Sequence, residues 1–400
     1  MTKTLQRTYN VEDTRRLAER RLPRGLYESI ERGTEDEVAL RNNVAALQRI
    51  KFRPRMLVDV SKRSLRSTLF GQPLSMPVAI APTGSAGLVW YQGELELARA
   101  AAAAGIPFAL ATRSMNSVEE IAEKAGGTLW LQLYVWNDRD LTYRLVERAE
   151  KAGFQGLIVT ADTPVNPNRE YNLRNGYGLP FVASRTALLD MVRHPRWLVG
   201  VLGRYIATSG MPRFENQPNR PKITRGAESS VRSGVLTWDD IKELRRRWPR
   251  TFMVKGLLRA DDAVRAVDLG ADAVIVSNHG GRNLDSAPAT IDVLPEIVAA
   301  VGQRAAILVD SGFRRGSDIA KAIALGASAV LIGRPTLYGT AIAGAAGATH
   351  VLGILRHELS TTLAMIGCPD VQDLGPDFLQ MPGQGGEASE QGMDRHAQIP

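Results

Sequence analysis

An imidazole and a guanidinium stand three residues apart in Ser277-Asn278-His279-Gly280-Gly281-Arg282-Asn283-Leu284-Asp285. His279 is a proton acceptor whose charge changes near neutral pH. Arg282 offers a planar fork that fits a carboxylate bidentately. Gly280 and Gly281 loosen the backbone between them, so both side chains can lean over one pocket. The chemistry this pair asks for is a small acid whose neighbouring group must lose a proton. A capped strand end with a satisfied histidine and a surface arginine is the plainer alternative, and the elements that carry the pair have to decide between the two.

The nonapeptide follows Ala273-Val274-Ile275-Val276 as a loop follows a buried strand. That run is one of eight short apolar or β-branched runs from residue 78 onward: 78–82, 107–112, 129–135, 156–162, 252–256, 273–278, 306–310 and 329–333. Helical patterns lie between them, at 93–104, 137–152, 237–248 and 317–325 among others. Eight βα units in succession predict a (β/α)8 TIM barrel within 78–370 rather than an open doubly wound sheet. One interval is far too long, which places an insertion of about 70 residues after the fourth strand, at about 165–235. Residues 1–77 read as a helical preamble, with one helix opening at Val11-Glu12-Asp13 and another beginning after Pro23. Residues 1–382 are expected to form a single domain, and the glycine-rich polar tail 383–400 to be disordered.

In such a barrel chemistry belongs at the C-terminal strand ends. There fall Pro82-Thr83-Gly84 on strand one, Gln132 and Tyr134 on three, Thr160 and Asp162 on four and Lys255 on five. Ser277 to Arg282 follow on six, Asp310 to Arg314 on seven and Gly333-Arg334 on eight. Clustered polar groups are expensive to desolvate without a ligand, so their convergence predicts a site. The pairs Gly312/Arg314 and Gly333/Arg334 suit a phosphate cradle. Lys255 leaves two readings open, because a Schiff-base aldolase also keeps a lysine late in a barrel strand. A barrel that binds a ligand without turning it over is a third.

The nonapeptide resembles the signature of the FMN-dependent 2-hydroxy acid oxidases and dehydrogenases, the family that includes glycolate oxidase, flavin-type lactate dehydrogenase and mandelate dehydrogenase. The resemblance runs from about Val11 to Leu379. It implies bound FMN, held by Pro82, Thr83, Gly84, Gln132, Thr160, Lys255, Ser277, Asp310, Gly312, Arg314, Gly333 and Arg334, with Lys255 near flavin N1 and O2. His279 becomes the base, Asp162 the carboxylate that orients it, and Tyr134 the partner of the substrate hydroxyl. Arg169, Arg282 and Tyr27 would surround the substrate carboxylate. The Val-Lys-Gly context of Lys255 and the histidine signature favour this flavin reading over the aldolase. Two positions depart from the family. Ala111 stands where a flavin-contacting serine is usual, so that hydrogen bond is missing or comes from Thr112. Arg113 stands where an aromatic or small residue is common near the substrate channel, either adding affinity for a second acidic group or pointing to solvent.

Gly84 occupies the place of an alanine in the glycolate oxidases and a glycine in the mandelate dehydrogenases. The segments Arg21-Leu22-Pro23, Glu35-Asp36-Glu37, His194-Pro195-Arg196-Trp197 and Ile366-Gly367-Cys368-Pro369-Asp370 also resemble the (S)-mandelate dehydrogenases more than the glycolate oxidases. The expected substrate is therefore an aromatic 2-hydroxy acid, with L-lactate as runner-up.

Composition agrees with a globular chain: 400 residues, 44% hydrophobic and 23% charged. The lone Cys368 allows no intrachain disulfide and suits a reducing compartment. The N-terminus lacks the apolar core of a signal peptide, and no run of 18 uncharged apolar residues is present. A cytoplasmic location is expected. Of the net charge of +8, the segment 181–235 holds +6, with nine Lys or Arg against three acids interleaved with Leu, Val and aromatic residues. Such a mixture suits an interfacial segment on anionic lipid at the inner face of the cell membrane, where the resemblance implies reoxidation by a quinone. A lid or subunit contact on a soluble enzyme reoxidised by oxygen is the alternative. No nucleic-acid module surrounds the basic residues and none is expected to bind. No residue cluster suggests a metal, and the resemblance implies a homo-oligomer, a tetramer.

Overall fold

A computed structural model describes residues 5–176, 185–224 and 236–382. Eight parallel strands close into a barrel: β1 (Val78–Ile80), β2 (Phe108–Ala111), β3 (Leu129–Leu133), β4 (Gly156–Thr160), β5 (Thr251–Leu257), β6 (Ala273–Val276), β7 (Ala306–Val309) and β8 (Ala329–Ile332). β8 pairs with β1 through Val330 and Val78, completing the ring. Each strand sits within a residue or two of the apolar run that predicts it. Helices Gly93–Ala104, Val118–Ala125, Arg139–Lys151, Trp238–Arg247, Ala260–Asp268, Thr290–Val301, Gly316–Ala324 and Arg334–Met365 cover the outside.

Two-residue alternation decides what fills the barrel. Trp130, Ile158, Met253, Ile275, Leu308 and Leu331 form one inner cluster with the alanines of β1, β2, β6 and β8. Their neighbours along the strands point outward into the larger cluster under the helices. A hairpin, Ser67–Leu69 with Gln72–Leu74, closes the N-terminal mouth. Its Phe70 ring meets Trp130 edge-on at 6.1 Å. Two residues above Trp130, Ile158 and Met253 come Gln132, Thr160 and Lys255, so the register that packs the core also turns these polar groups inward one layer higher.

Helix Arg334–Met365 is long and apolar enough to cross a membrane. It is instead broken at Ala343 and Gly344, whose φ is +56°, and most of its apolar stretch is buried against the barrel. Gly344 has no room for a side chain, because a Cβ would lie 2.7 Å from the Trp90 indole nitrogen.

The preamble folds as Val11–Arg21, Arg24–Glu31 and a third helix, Val38–Arg49. Asn10 caps the first through Asp13 N, as its residue type favours, and Pro23 stands immediately before the second, where no helical N–H is required of it. The preamble docks on the loop after β6. Asn43 and Asn278 exchange amide hydrogen bonds at 2.9 and 2.7 Å, and the buried Asp285 accepts from Asp36 N and Ala39 N, both at 3.1 Å. After β4 the described part of the insertion runs through helix Arg185–Arg193, the turn Pro195–Trp197, a π-helical stretch Leu198–Gly203 and helix Arg204–Thr208. The tail expected to be disordered, 383–400, lies outside the described residues, as do 181–184 and 225–235 of the segment expected to lie on lipid.

Asp285 supplies the first turn of Val38–Arg49 with a carboxylate that its own sequence lacks. Asp285→Ala is expected to lower unfolding free energy by about 1–2 kcal/mol, the range for losing a capping group. Urea unfolding of the variant against the parent checks it.

Candidate active site

A cavity of about 520 Å³ opens at the C-terminal strand ends. His279 enters it from a left-handed turn, with φ +58°. Its Nδ1 lies 2.8 Å from Asp162 Oδ1, and its Nε2 lies 3.4 Å from Tyr134 Oη. Asp162 is held from the other side by Thr163 Oγ1 at 3.0 Å and Asn283 Nδ2 at 3.3 Å, both donating to Oδ1. Gly256, at φ +102°, permits this approach, because a Cβ there would lie 2.5 Å from Asp162 Cβ.

Electrostatics assign the protonation states. Burial pulls His279 below its ordinary value of 6.5, Asp162 opposes that pull, and the nearby Lys255 and Arg169 add to it. The imidazole is therefore neutral at neutral pH and ready to accept a proton. Burial favours a neutral Asp162, but the facing imidazole and Lys255 outweigh it and hold the carboxyl well below the usual range. Burial also works against the Lys255 charge, yet Asp310 and Asp162 raise it above its ordinary value. A Schiff-base nucleophile must be neutral, so Lys255 does not suit the aldolase reading.

Lys255 Nζ donates to Ser277 Oγ at 2.7 Å and lies 3.0 Å from Asp310 Oδ2. Ser277 Oγ also accepts from His279 N at 3.0 Å. Ser311, at φ +81°, receives Gly280 N at 3.0 Å and donates to Asp310 Oδ1 at 2.8 Å. This ring fixes the backbone of the histidine loop. The sequence places Ser311 at the end of strand seven but assigns it no role, since a serine between two site residues carries no spacing signal. Gln132 Nε2 donates to Thr160 Oγ1 at 2.9 Å on the cavity floor. Thr112 does not stand in for the missing serine: its hydroxyl donates to Gln132 O and accepts from Tyr134 N, bracing β3.

Arg169 and Arg282 both line the cavity. Arg169 Nε donates to Arg282 O at 3.1 Å, and Arg282 Nη1 to the carbonyls of Ile30 and Arg32 at the end of helix Arg24–Glu31. Tyr27 does not join them. Its ring is buried, and its hydroxyl receives Arg15 Nη1 at 2.6 Å. Helical spacing explains the correction: Leu26, Ser29 and Ile30 share the cavity face, and Tyr27 is turned about 100° from Leu26.

Residues 18–381 match the FMN-dependent dehydrogenase family. The chain belongs to that family. It is 44% identical to the (S)-mandelate dehydrogenase of Pseudomonas putida, over 94% of this chain and 95% of that one. It is 43% identical to an L-lactate oxidase of Nostoc sp., over 93% and 98%. A crystal structure described as the monotopic membrane protein (S)-mandelate dehydrogenase superposes with a TM-score of 0.87, at 44% identity, covering 94% of this chain and 100% of that one. A mandelate oxidase mutant solved with (S)-mandelic acid superposes at 0.78 and 34% identity, covering 93% and 98%. The protein is an FMN-dependent 2-hydroxy acid oxidoreductase on a (β/α)8 barrel.

The cavity fits FMN. Thr83 Oγ1 is buried without a partner among the described residues, where a ligand acceptor or donor would satisfy it. Arg314, Arg334 and Gly333 line one part of the cavity, with Gly312 at φ +90°. Burial and the like charges of Arg282 and Arg314 pull the Arg334 guanidinium down to about 10, a repulsion that a bound phosphate relieves. Arg334 meanwhile donates to Ile30 O, Gly280 O and Arg32 O. Pro82, Gly84, Gln132, Thr160, Lys255 and Asp310 border the same space, and Ser277 stands behind Lys255.

Because the base must be neutral, the rate falls as pH drops through the His279 value, which places the acid limb of kcat/KM below 6.5. Asp162 raises that value, so Asp162→Asn is expected to shift the limb lower still and to reduce the plateau kcat about 10²- to 10⁴-fold. An unchanged limb in the pH profile would remove Asp162 from this role.

Proposed function

We propose that this protein oxidises an aromatic (S)-2-hydroxy acid, (S)-mandelate in the first place, to the 2-oxo acid, and that a membrane quinone reoxidises it. The observation that carries the chemistry is the line Asp162, His279, Tyr134 over a cavity bordered by Arg169 and Arg282. The two guanidiniums hold the substrate carboxylate. That grip sets C2 and its hydroxyl beside Tyr134 and His279. His279 Nε2 accepts the proton released as C2 is oxidised, and the imidazolium so formed is stabilised by Asp162 through Nδ1. FMN, when bound, takes up the two electrons. Lys255 holds a fixed positive charge at the cavity wall that favours adding negative charge there.

Gly84 borders the cavity, and a methyl added there would lie 3.3 Å from Arg113 Cβ, so a side chain at this position would crowd the wall that Arg113 forms. The relative at 44% identity is named for mandelate, and that at 43% for lactate. The insertion supports the membrane acceptor. Leu188, Leu189, Val192, Val199 and Ile206 are each at least half exposed along it. Arg193, Arg196 and Arg204 stand exposed among them, the composition of a segment that lies in a lipid interface. This reading puts the protein on the cytoplasmic face of the cell membrane. It also includes a homo-oligomer, a tetramer, for which the exposed Met56 and Leu57 supply an apolar contact.

Anaerobic titration is expected to bleach the flavin with (S)-mandelate, and readmitted air to restore the colour slowly. Fast recovery would make the protein an oxidase instead. Gly84→Ala is expected to lower kcat/KM for mandelate roughly tenfold more than for L-lactate, the discrimination one methyl can give. Equal losses on both substrates would mean that Gly84 does not face the side chain. Val192→Asp with Val199→Asp is expected to release the protein from anionic vesicles in a flotation assay, leaving turnover with a soluble dye intact. Continued flotation would return the insertion to the role of a lid.

A further inference from the structure

Six cationic side chains border the cavity: Arg113, Arg169, Lys255, Arg282, Arg314 and Arg334. Asp310 is the one acid that borders it among the described residues. Five of the six have duties in the reaction just described. Lys255 is paired with Asp310, Arg314 and Arg334 suit the phosphate of FMN, and Arg169 and Arg282 suit the substrate's own carboxylate. Arg113 has none of these duties, and it belongs to a different strand end, directly after β2.

Its position is built rather than incidental. The main chain is fixed on both sides, by Ser85 N donating to Arg113 O at 2.8 Å and Glu215 N donating to Ser114 O at 3.1 Å. A Cβ added at Gly84 would lie 3.3 Å from Arg113 Cβ, so the glycine lets Arg113 pack closely against this part of the wall. The guanidinium carbon lies 5.4 Å above the ring of Phe214, which is fully buried, and Arg113 Nε is itself buried. An arginine laid on an aromatic face keeps its charge while its planar fork stays oriented. The side chain therefore does not run out to solvent. It borders the cavity with Gly84, Leu88 and Val89.

We propose that Arg113 forms a subsite for a second anionic group, so that a 2-hydroxy acid whose side chain ends in a carboxylate, aliphatic or on an aromatic ring, is turned over better than its uncharged counterpart, (S)-mandelate included. This rests on the 2-hydroxy acid chemistry of His279 and not on mandelate itself as the substrate. Arg169 and Arg282 fix one end of such a molecule, and Arg113 fixes the other, with the reacting carbon between them under His279.

The test compares side chains with and without a terminal carboxylate on the FMN-loaded enzyme: (S)-2-hydroxyglutarate against (S)-2-hydroxyvalerate, and (S)-4-carboxymandelate against (S)-mandelate. The dicarboxylate is expected to have the higher kcat/KM in each pair. In Arg113→Met the charged-to-neutral ratio is expected to fall about 10- to 100-fold, the range for one charge-assisted hydrogen bond. Arg113→Lys is expected to fall between the two, because it keeps the charge and loses the fork. A parent enzyme that prefers the neutral member of both pairs overturns the proposal, as does a ratio that Arg113→Met leaves unchanged. If Arg113→Met fails to retain FMN, Arg113→Gln serves in its place under the same two criteria. A parent enzyme bleached by neither member of either pair would sink the hydroxy acid chemistry and the subsite together, whereas bleaching by the neutral members alone sinks only the subsite.

Discussion

A charged lysine at the centre of a parallel barrel is tolerated only if every donor finds an acceptor, and the loop that carries the base takes its shape from how that is done. Lys255 engages Ser277 and Asp310. Ser277 then receives His279 N, while Asp310 receives Ser311, which receives Gly280 N. The ammonium thus closes a ring through three successive strand ends and fixes two consecutive peptide nitrogens of the histidine loop. One buried charge does two things at once: it supplies a positive wall to the cavity, and it orients the turn from which the imidazole projects. The same charge adds to the burial that depresses His279, so one group contributes to both positioning and proton affinity.

Barrel alternation makes this arrangement legible in part. Lys255, Gln132 and Thr160 point inward because Met253, Trp130 and Ile158 do, and a period of two is plain in the sequence. The eight strands, and the strand ends where the polar residues gather, follow from that period. Left-handed turns are legible only where glycine marks them. Gly280, Gly281 and Gly312 announce positive φ, but His279 and Ser311 adopt it with no glycine to signal it. The ring through Ser311 is therefore hidden in the sequence, although both of its neighbours stand out as site residues. Tyr27 shows the opposite failure. Resemblance points to an aromatic residue in the right segment, whereas the helix repeat turns Leu26, Ser29 and Ile30 to the cavity and gives Tyr27 to Arg15. Resemblance locates the segment, and the geometry of a single helical turn decides the residue.

Contacts distant in sequence are the least legible. Asp285 belongs to the signature stretch, yet it does no chemistry and instead caps a helix far earlier in the chain through Asp36 N and Ala39 N. Gly281 presses against the same helix, since a Cβ would lie 2.4 Å from Leu40 N, and Gly281 O receives Thr34 N at 3.0 Å. The preamble is thereby part of the active-site loop rather than an ornament on the barrel. Its second helix ends with Ile30 and Arg32 presenting carbonyls to Arg282 and Arg334, cations placed where a helix C-terminus favours them.

The insertion is tied to the cavity in the same indirect manner. Trp197 is buried, and its indole nitrogen donates to Leu88 O at 2.7 Å. Tyr205 Oη receives Gln92 N at 3.0 Å and would lie 2.7 Å from any side chain at Gly87. Leu88 and Val89, between these anchors, line the cavity. One side of the insertion exposes Val192, Val199 and Ile206, and the other holds the short helix Ala86–Val89 that walls the site. Whatever surface the exposed side meets therefore bears on a segment whose inner side is continuous with the substrate cavity. The insertion has two faces: its buried apolar residues shape the site, and its exposed ones form an apolar surface on the opposite side.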